Sequence, residues 1–446
     1  MKAEIALERA STADARRRIL ALAWPAVVEM TLHTFVWMFD TAMVARLGAV
    51  SLSSVGLGAQ VYFTLVWVLA GLGTGTLAIV ARHWGAGEDR EAGRAASQAL
   101  ALAAGVGTAA GTVMYAAAPL VYRAAGLGGE VEALGVQYLR TVSPGAPLYL
   151  VAMVANSAMR GTGDTRTPLL IIAVANSINV AGDYLLIFGP WGLPAMGVRG
   201  AAVASLLAQV TAGLLATAQL FSRRARVRAS LREVLHPGLP VVRRIVRLGV
   251  PSGAENLLMD GARTVNMFIV AALGTTSFAA AQVALAAESI AFMPGYGLAV
   301  LYLGGGGAAR AHGEVLLTLY LAGGVGGAVG VSFLLFPRTL VGVFTREERV
   351  ASVAAACLWI SAFCQPSIAV TEVLTGAFRG AGDTRTPLRI TTLGAWCLRV
   401  PLSLLAVRLL GLSLEYVWWI LNVEWTCRAL LAALVFRRGH WKLARV

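Results

Sequence analysis

The chain has 446 residues, 57% of them hydrophobic and 13% charged, with a mean hydropathy of +0.71. A soluble domain carries about twice that charge fraction, so composition excludes a soluble enzyme or binding module. The net charge of +14 would suggest nucleic acid in a soluble protein, but here the arginines flank apolar stretches and mark the inner side of a membrane.

Residues 1–18 are polar and basic, with Arg9, Arg16, Arg17 and Arg18. The next stretch holds Glu29, His33 and Asp40 and is too polar for a signal-peptide core, so it reads as an uncleaved first span over about 19–46. Five further apolar spans fall at about 55–81, 95–121, 133–159, 167–189 and 198–221. Residues 222–247 follow, with Arg223, Arg224, Arg226, Arg228, Arg232, Arg243, Arg244 and Arg247 against one acid, Glu233. Six more spans lie at about 248–273, 279–304, 314–336, 350–378, 387–410 and 414–436, before a basic tail with Arg437, Arg438, Lys442 and Arg445. An even number of spans places both termini and the central linker on one side, and all three are basic, so that side is expected to be the cytoplasm. Gly323-Gly324-Val325-Gly326-Gly327 suits close helix packing in lipid. Cys357, Cys364, Cys397 and Cys427 all fall in apolar spans and read as small core residues, not a disulfide or metal set.

One motif occurs twice. Arg160-Gly161-Thr162-Gly163-Asp164-Thr165-Arg166-Thr167-Pro168-Leu169 returns as Arg379-Gly380-Ala381-Gly382-Asp383-Thr384-Arg385-Thr386-Pro387-Leu388, 219 residues on and identical at nine of ten positions. Each copy reads as an interhelical turn: Gly turns the chain, Asp or Thr caps the next helix, and Pro sits in its first turn. Trp24-Pro25 pairs with Val250-Pro251, and Leu47-Gly48 with Leu273-Gly274, both 226 apart. Two halves in parallel order result. The expected fold is an all-α integral membrane protein of twelve transmembrane helices, in two pseudo-symmetric six-helix bundles around a central cavity. The expected boundaries are 1–221 for the first bundle, 222–247 for the linker and 248–446 for the second bundle.

Ionisable groups inside spans are costly and are functional candidates. Glu29, His33, Val36 and Asp40 share one face of span one, and Asn176, Asn179 and Asp183 stripe span five. Asp40 and Asp183 each lie about six residues from the outer end of their span, hence at matched depth. Two carboxylates with an amide oxygen form a hard-oxygen cage for Na+. Alternatively they share a proton, because two adjacent buried anions repel. A third reading pairs each acid with an arginine or a backbone group. The second half does not repeat this set: Asp40 maps to Asn266, Asp183 to Leu402 and Asn179 to Leu398, although Glu29 maps to Glu255. Glu29 and Glu255 bind a cation near the inner end of the cavity, or else cap or pair with linker arginines. Glu372 is a candidate cavity-lining acid, and Phe35, Trp37, Met38, Tyr149 and Met153 are candidate contacts for flat apolar cations or else face lipid, where aromatics look the same.

Across almost its whole length the chain resembles the multidrug and toxic compound extrusion (MATE) family. Pro25, Asp40-Thr41 with Arg46-Leu47-Gly48, Gly85-Ala86-Gly87, both repeated turns and Met293-Pro294-Gly295-Tyr296-Gly297 carry the resemblance. Asn179 and Asp183 with Asp40 are similar to the DinF-like branch. That resemblance implies alternating access, a cation site at Asp40, Asn156, Asn179 and Asp183, and Pro25 as the bending point of the first helix. It implies export of amphiphilic or cationic compounds against H+ or Na+ as coupling ion, with no cofactor. The expectation is therefore a secondary antiporter, a monomer in a bacterial or archaeal cytoplasmic membrane, with lipid as its only macroscopic partner and no nucleic acid. A flippase for a lipid-linked precursor is the alternative. An enzyme is not expected, since HExxH, GxSxG, Walker and metal-spaced Cys/His motifs are all missing.

Overall fold

A computed structural model describes residues 24–25, 28–29, 31–33, 35–126, 128–236, 238–300 and 308–439, without the side chains of 49 and 290–317. The described residues form twelve long helical segments and no strand. α1 covers described residues from 24 to 45. α2 is Ala49–Leu69 running on into Gly71–Gly85, and α3 is Asp89–Ala124. α4 is Glu130–Val142 and Ala146–Gly161, joined by a 3-10 turn. α5 is Arg166–Phe188, α6 is Val198–Phe221, α7 is Leu239–Ala271, α8 is Thr275–Val300 and α9 is Ala308–Leu335. α10 is Glu348–Ser361 and Gln365–Gly380, again joined by a 3-10 turn. α11 runs from Arg385 to Leu409 and α12 is Leu414–Arg438. Eight stretches among these are long and apolar enough to cross a bilayer, and α1 and α7, which carry buried acids, are not among them.

The duplication is written in the backbone. α4 breaks at Ser143–Gly145 and α10 at Ala362–Cys364, 219 residues later. Pro147 and Pro366 open the helix after each break, where a missing N–H is tolerated. Both repeated turns pass through a left-handed glycine, Gly163 at φ 77° and Gly382 at φ 88°. In both, the aspartate does the capping. Asp164 Oδ1 accepts from Thr167 N at 3.0 Å and Oδ2 from Thr167 Oγ1 at 2.7 Å. Asp383 accepts from Thr386 N and Oγ1 at 3.0 and 2.6 Å.

Val28–Gly253 forms one compact unit, and the chain from Ala254 belongs to a second. The division falls inside α7 because its first half lies backbone to backbone on α2. A Cβ on Gly71 would stand 2.4 Å from the Gly249 carbonyl oxygen, and one on Gly75 2.6 Å from that of Ile245. Glycine alone permits that approach. The core of the first unit gathers Tyr62, Val66, Met114, Tyr122, Tyr138 and Leu139. Tyr122 donates to the Ser54 carbonyl at 2.6 Å, fitted against Gly58 and Gly135. The second unit packs Ile269, Phe333, Leu358, Leu414 and Trp418 into its main cluster.

Two expectations need correction. Of the glycines in 323–327, Gly326 alone meets a neighbour closely; Gly323, Gly324 and Gly327 face open space. Among the cysteines, Cys357 and Cys364 are buried, but Cys397 is exposed on α11. The Met293–Gly297 stretch lies in α8, with its side chains outside the described residues, as are residues 301–307 of the α8–α9 connection.

Candidate functional site

The helical period turns one face of α1 inward. Glu29 is buried and His33, Val36 and Asp40 are half-buried, while Phe35, Trp37, Met38 and Phe39 are exposed. α5 buries Ile171, Ala175, Asn179, Asp183 and Ile187 at four-residue steps. These two faces bring Asp40, Asn179 and Asp183 together. With its amide oriented as the neighbours require, the Asn179 nitrogen donates to Asp40 Oδ1 at 3.3 Å and Oδ2 at 3.2 Å. Asp183, one turn further along α5, is 1% exposed and lies carboxyl to carboxyl with Asp40. Its Oδ1 is buried without a hydrogen-bond partner.

The chemistry of this pair follows from its contacts. Two carboxyls side by side in an apolar interior favour one proton or one cation between them, because two adjacent anions repel. Among the described residues neither acid forms an ion pair with Arg or His. Tyr138 on α4 stands within electrostatic range of both acids. In this arrangement Asn179 offers Asp40 a donor, not an oxygen ligand.

Asn156 is buried on α4 with its Oδ1 unpartnered, and no hydrogen bond joins it to the aspartates. Tyr149 and Met153, on the same helix, pack half-buried against the apolar core of the first unit. Pro25 is helical and buried.

Glu29 and Glu255 have partners of a different kind from the linker arginines named as one option above. The Arg160 Nη2 donates to Glu29 Oε1. Arg379 donates from Nη2 to Glu255 Oε1 at 2.7 Å and from Nε to Oε2 at 3.3 Å, and Thr391 Oγ1 adds a bond to Oε1 at 3.1 Å. The arginine that opens each repeated turn therefore holds the acid four residues beyond each half's opening proline. Both acids are buried.

Among its described residues the second unit has no counterpart of the aspartate pair. Asn266, at the position equivalent to Asp40, is buried with its Oδ1 unpartnered. Instead, Glu424 sits between two arginines. Arg399 donates to Glu424 Oε2 from Nη2 at 2.7 Å and from Nε at 3.2 Å, and Arg428 Nη1 reaches Oε1 at 3.2 Å. Arg428 also donates to Thr391 Oγ1 at 2.6 Å and lies over the Trp425 ring at 4.6 Å. A Cβ on Gly394 would stand 2.5 Å from Arg428 Cγ, so a glycine makes room there. α11 widens into π-helical turns at Thr392–Arg399, just before Pro401. Glu372 stands half-buried within electrostatic range of Arg379, Arg428 and Glu255. Glu288 on α8 accepts from Ser361 Oγ and from Trp418 Nε1 at 3.0 Å.

Sequence reasoning assigned no role to Arg399 and passed over Glu288, Glu424 and Arg428. Their signal was the one used elsewhere, ionisable residues inside apolar spans, with Glu424 and Arg428 at the i, i+4 spacing of a helical ion pair.

A profile of the MatE family matches residues 25–185 and 251–405, one stretch in each half. A probable multidrug resistance protein NorM of Thermotoga maritima is 28% identical over 98% of this chain and 95% of its own length. A protein of the same description from Pseudomonas aeruginosa is 29% identical over 96% of this chain and 90% of its own. A solved outward-facing multidrug resistance MATE family transporter superposes with a TM-score of 0.88 at 24% identity, covering 97% of each chain.

Proposed function

Because the chain belongs to the MatE family of multi-pass membrane transporters, we propose that it is a proton-driven antiporter exporting amphiphilic or cationic small compounds. The carrying observation is the Asp40–Asn179–Asp183 cluster: two carboxyls in contact, no basic partner among the described residues, and an amide donating to one of them. A site that favours one proton between two touching carboxyls takes it up in one access state and gives it up in another. The outward-facing state named for the solved relative, and the multidrug resistance named for the sequence relatives, support export by alternating access.

On this reading the protein belongs to the DinF-like branch, works as a monomer in the cytoplasmic membrane, and keeps both termini and residues 222–247 inside. Asn156 lines the approach to the aspartates, and Pro25 bends α1. The functional halves are 1–221 and 248–446. The test is efflux of a fluorescent lipophilic cation from proteoliposomes without Na+. A pH gradient alone drives export if the proton is the coupling ion; export that needs Na+ contradicts it.

A further inference from the structure

The described residues of 222–247 form a strap on the first unit, not a free connection. Ala229 N donates to the Leu220 carbonyl at 2.9 Å and Ser230 N to Ser97 Oγ at 2.9 Å. Arg226 Nη1 reaches the Thr162 carbonyl of the first repeated turn at 3.2 Å. Val227 is buried beneath. The strap joins the end of α6 to the start of α7, so it lies at the level where membrane helices leave the bilayer.

Its surface is strongly basic and without internal compensation. Arg223, Arg224, Arg226, Arg228, Arg232, Arg243, Arg244 and Arg247 are all exposed, and none forms an ion pair among the described residues. The single acid, Glu233, is already held by Arg94 at 3.5 Å and Gln98 at 3.3 Å. Leu231, Leu235 and Leu239 stand among these arginines at four-residue steps, 62, 65 and 75% exposed. Exposed leucines set in a field of unpaired arginines match one kind of surface, the boundary between anionic headgroups and acyl chains.

We propose that this strap binds anionic phospholipid, the arginines on the headgroup phosphates and the three leucines in the acyl boundary beneath. It fixes the first repeated turn, through Arg226 and Thr162, to the membrane surface. The inference is independent of substrate and coupling ion.

The test uses the full chain in nanodiscs, its four cysteines replaced by alanine and a nitroxide label on Leu235→Cys. In bilayers with about 30 mol% phosphatidylglycerol the label should be oxygen-accessible and nickel-shielded, and less so in pure phosphatidylcholine or high salt. The variant Arg223→Gln/Arg224→Gln/Arg243→Gln/Arg244→Gln/Arg247→Gln keeps Arg226 and Arg228, whose hydrogen bonds hold the strap. Its preference for phosphatidylglycerol should fall about tenfold or more. Should that variant misfold, Leu231→Ser/Leu239→Ser keeps the charge and should lift the label toward water. A label equally water-accessible in both bilayers overturns the proposal. So does displacement from phosphatidylglycerol by RNA at physiological salt, which would make the strap a general polyanion surface.

Discussion

Replacing Glu424 by Gln tests what holds the second unit together. Glu424 is fully buried and receives three N–H contacts from two arginines, at 2.7, 3.2 and 3.2 Å. Gln keeps the shape but removes the charge, leaving two guanidiniums facing each other in an apolar interior. Removing one partner of a buried ion pair costs about 3–5 kcal/mol. Glu288 and Glu372 stand within electrostatic range of Arg399 and Arg428 respectively, without contacting them, and hold the loss toward the lower end. For a unit of this size the melting temperature should drop by roughly 6–20 °C. Glu415→Gln, on the half-exposed first turn of α12, should cost under about 1 kcal/mol. The assay is thermal unfolding in detergent, followed by intrinsic fluorescence, with Arg399→Met completing a double-mutant cycle. Coupling of about 2–3 kcal/mol is expected between the two sites. Coupling below about 0.5 kcal/mol would refute the claim that this carboxylate bridges the arginines.

Asp164→Ala and Asp383→Ala should each lower stability by about 1 kcal/mol, and equally, since each removes the same two bonds to a threonine; transport lost at unchanged stability in one of them would make that turn a gate. Glu255→Gln should cost about 3 kcal/mol in the same unfolding assay, because its buried carboxylate holds Arg379 and Thr391; a loss under about 1 kcal/mol would mean that water reaches it. Single cysteines at Ser230 and Gly192 in a cysteine-free chain should label from opposite sides of the membrane, and labelling from the same side would reject the proposed topology.

Much of the fold was legible because its signals are local. Span length, basic flanks and the doubled turn depend on neighbours in sequence, and the helical period placed Asp40 and Asn179 each on the polar face of its own helix. The partners of Glu29, Glu255 and Arg399 were not legible. Each is a long-range pair, 131, 124 and 25 residues apart, and sequence spacing carries no information on which helices touch. The orientation of the Asn179 amide was hidden for another reason: the residue type offers both a donor and an acceptor, and its neighbours alone decide which faces Asp40. The wide turns of α11 lie where Arg428 packs over Gly394, and no period in the chain encodes them.

The central claim is that proton movement runs through Asp40 and Asp183. Its most direct test is proton flux measured with a pH-sensitive dye inside proteoliposomes as substrate is added, comparing the native chain with Asp40→Asn. Asn keeps the size and hydrogen bonding of the side chain but cannot take up or release a proton. Circular dichroism and unfolding should show the variant folded, with substrate-dependent proton flux and gradient-driven export both abolished. If Asp40→Asn exports at the native rate and still dissipates the gradient, Asp40 is a structural acid and coupling lies elsewhere.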